Sequence, residues 1–324
     1  MNPLPPDDLQ ISSVPAADRA AALDLAFSHL DGDESQRQVE SIMADTAVGR
    51  LALDGLFGAY RDGRLIGALF AQLQAGRAAT LWLPRAASPG RQPGDSASNG
   101  SHPRADARGS PDDRLLDAAC DWFQRSGVRI AQVLLESASP AEEELLSRWN
   151  FSYLADLLYL VSLKEQFPAS QPVAPLDFEP YCEANHERLA RVVDATYAGT
   201  RDCPAINGVR HIDDVLAGYR ATGEFDPRRW LLARQAGRDV GCLLLADHPQ
   251  HENLELVYMG VMAAERGHGW GMHLARHAQW VARQAGRPRL VLAVDAANEP
   301  AIAAYAAAGF QAWDRRRVYL RVFS

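Results

Sequence analysis

The sequence predicts an α/β protein of two tandem units, each a mostly antiparallel central sheet flanked by helices. Three observations carry this prediction. The 324 residues correspond to about two domains of ordinary size. Apolar residues make up 47% and charged residues 23%, the balance of a globular protein that can bury a core. The same order of strand and helix patterns occurs twice, before and after a Pro-rich stretch near the midpoint.

The second half of the chain shows this order most clearly. Aliphatic runs between turn residues predict six strands, and apolar residues three to four apart predict four helices. The predicted strands are 176–181, 230–234, 240–246, 254–261, 289–295 and 318–323. The predicted helices are 187–197, 212–220, 271–285 and 298–308. Gly309 follows the last helix, a position where glycine commonly ends helices.

The first half repeats the order more faintly. Its predicted strands are 56–60, 65–72, 79–84, 128–136 and 157–163, and its predicted helices are 19–30, 35–48, 113–126 and 140–149. Two segments rich in Pro, Gly and Ser interrupt the pattern: a loop at about 88–112, expected to be disordered, and a semi-rigid linker at 167–175. They divide the chain into domains 1–166 and 176–324. The alternative is two unrelated α/β domains.

The charge balance limits the partners. The sequence has 33 basic and 41 acidic residues and a net charge of −8, which argues against nucleic acid or an anionic membrane as the main partner. The four cysteines have neither zinc-site nor disulfide-scaffold spacing, so free thiols and no metal are expected. There is no basic leader and no apolar run of about 18 residues, which favours the cytoplasm. The oligomeric state stays open.

The most informative segment follows a predicted strand and opens a helix. Gly267, Gly269 and Gly271 let the backbone approach a ligand without Cβ clashes. The N–H groups of such a turn and of a helix N-terminus form an anion site that suits a pyrophosphate. Met272 stands where a nucleotide-hydrolase loop needs Lys and where a dinucleotide fingerprint needs its third glycine. Roughly 30 residues follow Asp295, too few for the rest of a doubly wound sheet.

Two features together carry a family resemblance. The pattern Arg266-x-x-Gly269-x-Gly271 resembles the pyrophosphate loop of the GNAT family, the GCN-five-related N-acetyltransferases. The segment 298–310 is similar to that family's final helix, with Asn, Tyr and Gly-Phe at the usual offsets. These residues are Asn298, Tyr305, Gly309 and Phe310. The resemblance covers about 254–320, and the rest of the second half matches in element order only.

The resemblance implies acetyl-CoA as a co-substrate, held in a V-shaped opening between two splayed strands. The strand backbone would pair with the pantetheine arm, and the loop would hold the pyrophosphate. The implied cofactor-binding residues are Met259, Gly260, Val261, Arg266, Gly267, His268, Gly269, Trp270, Gly271, Met272 and Asn298. Tyr305 matches the tyrosine that protonates the leaving thiolate, and the alternative for it is a packing role. Asn298 has a second interpretation as a helix N-cap.

The base and the acceptor contacts are less determined. Many members of the family place a Glu on the strand before the loop, so Glu255 is the candidate base; Asp295, His251 and Tyr258 are weaker candidates. Acceptor contacts usually come from the loop after the first helix, here 197–204, which contains Asp202 and Cys203. Asp202 would pair with a substrate ammonium. The alternative for this loop is a well-capped turn, and a covalent role for Cys203 is not favoured.

The predicted function is therefore transfer of an acetyl group from acetyl-CoA to a primary amine by direct attack. The acceptor would be a small amine or a protein N-terminus, and the alternative is a non-catalytic acyl-CoA-binding or scaffold protein. The first half lacks both the glycine loop and a tyrosine at the equivalent place, where Leu146 to Trp149 lie. It is interpreted as a degenerate copy. His273 and His277 lie four apart on one helix, but the Glu of a zinc motif is missing between them.

Overall fold

The structure, a computed structural model, describes residues 8–86, 109–173 and 175–324. Within them the chain forms twelve strands and eight α-helices. The helices are α1 (Arg19–Ala26), α2 (Gly32–Ala47), α3 (Pro111–Arg125), α4 (Pro140–Arg148), α5 (His186–Tyr197), α6 (Ile212–Arg220), α7 (Trp270–Gln284) and α8 (Glu299–Ala307). The strands are β1 (Gln10–Ser13), β2 (Leu56–Arg61), β3 (Arg64–Gln74), β4 (Ala78–Ala86), β5 (Ile130–Leu135), β6 (Ser152–Leu163), β7 (Asp177–Pro180), β8 (Trp230–Gln235), β9 (Arg238–His248), β10 (Asn253–Val261), β11 (Arg289–Asp295) and β12 (Gln311–Val322).

All twelve strands form one continuous sheet in the order β1-β2-β3-β4-β5-β12-β6-β11-β10-β9-β8-β7. Neighbouring strands are antiparallel except for the two parallel pairs β4–β5 and β10–β11. The predicted mostly antiparallel α/β fold with a repeated element order is therefore confirmed. The two sheets expected from the sequence are joined edge to edge.

The two halves exchange their last strands. The final strand of the first half, β6, pairs with the whole length of β11, from Arg289 opposite Leu163 to Asp295 opposite Leu157. The final strand of the second half, β12, pairs with β5 in the same antiparallel way. The strands β6 and β12 also pair with each other at the centre of the sheet. Each half therefore needs the other to complete its sheet.

The helices cover both faces of the sheet. Side chains alternate between faces along a strand. Leu243 and Leu245 of β9 share a core with α7 and α8, whereas Cys242 and Leu244 share one with α5 and α6. The first half likewise has one core beside α3 and α4 and another beside α1 and α2. A ligand that passes between two strands of this sheet would thus reach two differently lined faces.

Several boundaries differ from the prediction. The strand β12 begins at Gln311 rather than 318, and β6 begins at 152 rather than 157, because a bulge beside Trp313 and the charged run 314–317 hide the alternation. The short strand β1 was missed. Helix α3 begins at Pro111, capped by Ser110, whose hydroxyl oxygen accepts a hydrogen bond from the amide of Asp113 at 3.2 Å. The end of the predicted loop is therefore helical, and its remainder, 88–108, lies outside the described residues.

Two further observations concern organisation. Phe167, the first residue of the predicted linker, is buried in the core of the second half. Residues 8–86, 109–173 and 175–324 contain no helix that is long and apolar enough to cross a membrane. The division into domains 1–166 and 176–324 stays a prediction, and the strand exchange sets a physical limit on how independent such domains are.

Candidate active site

A gap opens in the sheet between β10 and β11. The two strands pair only at their starts, and the last pair is Glu255 opposite Val291. Beyond it β10 stays paired with β9 on its other edge, through a register shift between Leu256 and Tyr258. The edge of β10 that faces β11 thus has backbone groups along 256–260 that pair with no described strand, and the Val261 carbonyl oxygen beyond them accepts from Arg266. Such groups need a partner, and an extended amide-bearing chain in the gap can supply one.

The glycine loop lies at the mouth of this gap. Gly267 and Gly269 have positive φ angles of 84° and 77°, and a Cβ atom at either position would meet no atom within 4 Å. Gly269 precedes α7, whose first amides donate no hydrogen bond to a side-chain cap. The loop therefore presents open space and free N–H groups at the positive end of a 15-residue helix. Such groups suit a phosphate, which stays the prediction for this loop.

The larger side chains of the loop are engaged with the protein. Arg266 donates to the carbonyl oxygens of Val261, Gly199 and Thr196, at 3.2, 2.9 and 2.8 Å. Its guanidinium therefore ties the loop to the C-terminal end of α5. The ring of His268 stacks on that of Trp270, with 5.9 Å between centroids. The positive charge stays near the loop, but its first role here is to fix the backbone.

The remaining residues predicted to hold the cofactor shape the gap by packing. Met259, Val261 and Met272 pack against the core beside α7. At Gly260 a Cβ atom would lie 2.6 Å from the hydroxyl oxygen of Thr196, so only glycine lets α5 approach β10 this closely. Gly271 similarly faces Ala304, 3.7 Å from its virtual Cβ, where α7 meets α8.

Tyr305 reaches the gap from the α7–α8 side. The side chain is 5% exposed, and its hydroxyl makes no hydrogen bond to any described residue. Burial, with a smaller contribution from the negative charge of Asp202, raises its pKa well above the ordinary value of about 10. The phenol is therefore protonated at neutral pH. Asn298 caps α8 and accepts from the amide of Ala301 at 3.4 Å, which favours its structural interpretation.

The predicted acceptor residues meet the end of β11. Asp202 Oδ1 accepts from the amide of Asp295 at 2.8 Å, and Asp295 Oδ2 accepts from the amide of Cys203 at 3.1 Å. The Cys203 backbone is left-handed, with φ of 44°, and burial raises the pKa of its thiol to about 12. A thiol in this state is a poor nucleophile. The loop is thus a hydrogen-bonded turn that also places two carboxylates at the gap.

Glu255 lies at the closed end of the gap. Its Oε2 is 2.8 Å from His248 Nε2, and this bond raises the pKa of His248. The sequence analysis did not single out His248. A hairpin of the adjacent predicted strands β9 and β10 could have indicated it, because in the antiparallel pair His248 lies opposite Asn253, near Glu255. It also missed Tyr159 of β6, whose pKa is raised by burial and, more weakly, by Glu255. That residue belongs to the exchanged strand of the first half.

The weaker candidates fall outside the gap or support its walls. The hydroxyl of Tyr258 lies 2.6 Å from that of Thr196, in a cluster of tyrosines between β10 and the helices α5 and α6. His277 is buried and stacks on Phe178, with 3.5 Å between ring centroids. Burial lowers its pKa to about 4. No group of three His, Cys, Asp or Glu side chains suited to a metal occurs in the described part of the chain.

The equivalent gap of the first half is bridged. The strands β4 and β5 also pair at only three positions before they diverge. There Arg85 of β4 forms an ion pair with Glu142 of α4, at 2.9 Å. Leu146 lies seven residues after the N-cap of α4, where the second half has Tyr305 seven residues after Asn298. Among the described residues, this half therefore has a leucine in place of the phenol and an ion pair between β4 and α4.

Comparisons with known proteins agree with this geometry. A model of the acetyltransferase (GNAT) family matches residues 198–310. A mycothiol acetyltransferase of Jonesia denitrificans is 37% identical over 81 residues, which are 25% of this chain and 26% of that protein. The chain thus matches about a quarter of that relative's length.

Two solved structures share the fold. A GCN5-related N-acetyltransferase from Sphaerobacter thermophilus is 19% identical with a TM-score of 0.62, over 98% of this chain and 96% of that one. A glucosamine N-acetyltransferase region of a fungal multi-domain GH3 β-N-acetylglucosaminidase is 15% identical with a TM-score of 0.60, over 97% of this chain and 38% of that one. At these identities the likeness concerns architecture alone.

Proposed function

Because the second half of the chain contains a GNAT acetyltransferase domain, we propose that this protein moves an acetyl group from acetyl-CoA to a primary amine. The observation that carries the proposal is the coincidence of two features in one half of the sheet. The gap between β10 and β11 opens beside the free N–H groups of the glycine loop and α7. The acetyl-CoA molecule supplies an acetyl group already activated as a thioester.

Different parts of the gap would bind different parts of acetyl-CoA. The free edge of β10 would bond the amides of the pantetheine arm, and the amides from Gly267 through the first turn of α7 would bond the pyrophosphate. The Arg266 guanidinium holds this loop against α5. Gly260 keeps α5 close to β10. The site is therefore formed mainly by backbone groups, which fits the weak side-chain signature around it.

The reaction requires three proton movements, two away from nitrogen and one to sulfur. An alkyl ammonium has a pKa near ~10, so a base must take one proton before the nitrogen can attack the thioester carbonyl. The C–N bond then forms, the C–S bond breaks, and the nitrogen releases its second proton. The departing thiolate takes up one proton, and Tyr305 is the donor, because burial keeps its phenol protonated. Overall one proton is released to solvent.

Glu255 was the candidate base, and this assignment stays a prediction. Its carboxylate faces His248, whose raised pKa favours a charged imidazolium partner. The acceptor class that the fold supports is an amine.

The test is a thermal-shift titration with acetyl-CoA, CoA and NADH. A ligand at 100 times its dissociation constant adds about 2.7 kcal/mol, which for a chain of this size raises Tm by roughly 4 °C. We expect the shift with both CoA species and none with NADH. Gly269→Glu should lose it, because a carboxylate fills the anion site. Gly237→Glu is the matched control, since Gly237 also has a positive φ, of 82°, and open space around it.

The opposing outcomes separate the hypotheses. No shift with any CoA species would exclude the transferase. A shift that Gly269→Glu retains would move the donor site elsewhere. Tyr305→Phe then distinguishes an enzyme from a non-catalytic acyl-CoA-binding protein. For an enzyme, the acetyl-CoA shift persists and turnover falls by roughly 10²-fold or more.

A further inference from the structure

Two carboxylates from distant parts of the sequence meet at the mouth of the gap. Asp202 comes from the loop after α5, and Asp295 is the last residue of β11. Backbone amides hold both: Asp202 Oδ1 accepts from the amide of Asp295, and Asp295 Oδ2 accepts from the amide of Cys203. Asp295 Oδ1 accepts from the amide of Ala297 at 2.8 Å. Asp295 is 5% exposed.

No cationic side chain of the described residues pairs with these two carboxylates. Neither carboxylate forms an ion pair with an Arg, Lys or His side chain of the described residues. Asp202 Oδ2 accepts no hydrogen bond there either, and it is not among the fully enclosed polar atoms. Burial and the charge of Asp295 together raise the pKa of Asp202, although the Asp295 amide opposes them. Buried like charges without a counter-ion are unfavourable, so such a pair calls for a cation or a shared proton.

A second, independent group points to the same spot. The side chain of Tyr305 is 5% exposed, and its hydroxyl has no hydrogen-bond partner among the described residues. The negative charge of Asp202 contributes to its raised pKa. Its neighbours on β11, Leu290, Leu292 and Val294, lie on the α7–α8 face. By strand alternation Asp295 points to the opposite face. The phenol and the carboxylates therefore approach the gap from opposite sides of the sheet.

We propose that Asp202 and Asp295 form the acceptor site, that they take an alkyl ammonium with no carboxylate beside its nitrogen, and that Asp202 Oδ2 removes its proton. The inference rests on the proposed function. The ammonium gives one proton to Asp202, the free amine forms the C–N bond as the C–S bond breaks, and Tyr305 protonates sulfur from the other face. The second nitrogen proton and that of Asp202 pass to Tyr305 and to solvent.

The arrangement explains the acceptor class. Two negative groups attract a cation and repel an acceptor that carries its own carboxylate at the reacting end. The titratable groups that face Asp202 are Asp295 from β11, Tyr305 from α8, Tyr258 from β10 and Cys203 from its own loop. All of them are acids that are neutral or negative, and none supplies a positive charge. A bound ammonium thus offsets one of the two negative charges of the pair.

The test compares Asp202→Asn, Asp295→Asn and Glu255→Gln with the wild type. Asparagine keeps an Oδ1 acceptor for the amide of Asp295, so the loop should stay folded, and removal of an unbalanced charge should leave Tm unchanged or higher at pH 7. Release of CoA thiol is followed with 2-phenylethylamine, 1,4-diaminobutane and glucosamine. Phenylalanine is the matched probe, because it adds a carboxylate beside the amine of 2-phenylethylamine.

We expect Asp202→Asn to lower kcat/KM by about 10²-fold or more, with the acetyl-CoA thermal shift retained. Asp295→Asn should raise KM for the amine more than it lowers kcat. Glu255→Gln should change both KM and kcat by less than tenfold. The wild type should prefer 2-phenylethylamine to phenylalanine by at least tenfold. Equal activity of Asp202→Asn and wild type, preference for phenylalanine, or no turnover of any probe would overturn the inference. If acetyl-CoA does not raise the Tm of the wild type, the proposed function itself is overturned instead.

Discussion

A buried glutamine fastens the exchanged strand to the second half. Gln279 of α7 is completely buried, and its Nε2 donates to Ser162 Oγ and to the carbonyl oxygen of Ala308, each at 2.8 Å. Ser162 belongs to β6, which the first half contributes, and Ala308 ends the helix that carries Tyr305. One amide group therefore joins three elements around the candidate active site.

Gln279→Leu removes both bonds and leaves two buried acceptors without a donor. Each such acceptor costs about 1–3 kcal/mol, and the leucine recovers part of this through apolar burial, so we expect a loss of about 2–4 kcal/mol. Ser162→Ala removes only one bond and should cost about 1 kcal/mol. The assay is urea unfolding at pH 7, read as the change in the free energy of unfolding.

The matched control is Gln284→Leu, an exposed glutamine on the same helix, which should change stability by less than about 0.5 kcal/mol. A double-mutant cycle of Gln279→Leu with Ser162→Ala should show a coupling of the order of 1 kcal/mol. If Gln279→Leu were as stable as the control, the hydrogen bonds of Gln279 to Ser162 and Ala308 would not contribute to the free energy of unfolding.

Two further predictions concern acid stability and the close approach of α5. Folded His277 has a pKa of about 4 against about 6.5 when unfolded, so as the pH falls below 6.5 the unfolded state binds the proton first. We expect stability to decline by roughly 3 kcal/mol between pH 6.5 and 4, and His277→Phe to flatten this decline in thermal unfolding curves whereas His273→Phe does not. Gly260→Ala places a methyl group 2.6 Å from the hydroxyl oxygen of Thr196 and should cost about 1–3 kcal/mol in urea unfolding, with Gly32→Ala in open space as the control.

The local features of the site were predictable because they are sequence patterns with a short range. Gly267 and Gly269 have the positive φ that only glycine adopts freely, and Gly309 ends α8 with a φ of 90°. Tyr305 lies on the helix where the offset from Asn298 placed it. Such spacings report on one turn or one helix, and a single sequence contains them completely.

The exchange of β6 and β12 was not predictable from these patterns. The pairing of Leu157 with Asp295 joins residues far apart in sequence, and its register depends on which edge of a sheet is free. An apolar strand fits either neighbour equally well by composition. The charged residues of β12 weakened the pattern further, and the strand was predicted to begin seven residues too late.

The roles of polar side chains were predicted least well. Arg266 was predicted to contact the ligand, and the structure adds a role that the sequence did not show, because each of its three guanidinium nitrogens donates to a backbone carbonyl. The carboxylates of Asp202 and Asp295 were considered separately, since nothing in the sequence shows that the loop after α5 folds onto the end of β11. A partner such as His248 for Glu255 requires the pairing of β9 with β10 before it can be recognised.

The account places one acetyl-CoA site in each chain, in the second half only. Titration calorimetry of the full chain with acetyl-CoA measures this most directly. We predict a stoichiometry of one for the wild type and for Gly237→Glu, and no binding for Gly269→Glu. Two sites per chain would contradict the closure of the first half by Arg85 and Glu142. Undiminished binding by Gly269→Glu would contradict the assignment of the glycine loop.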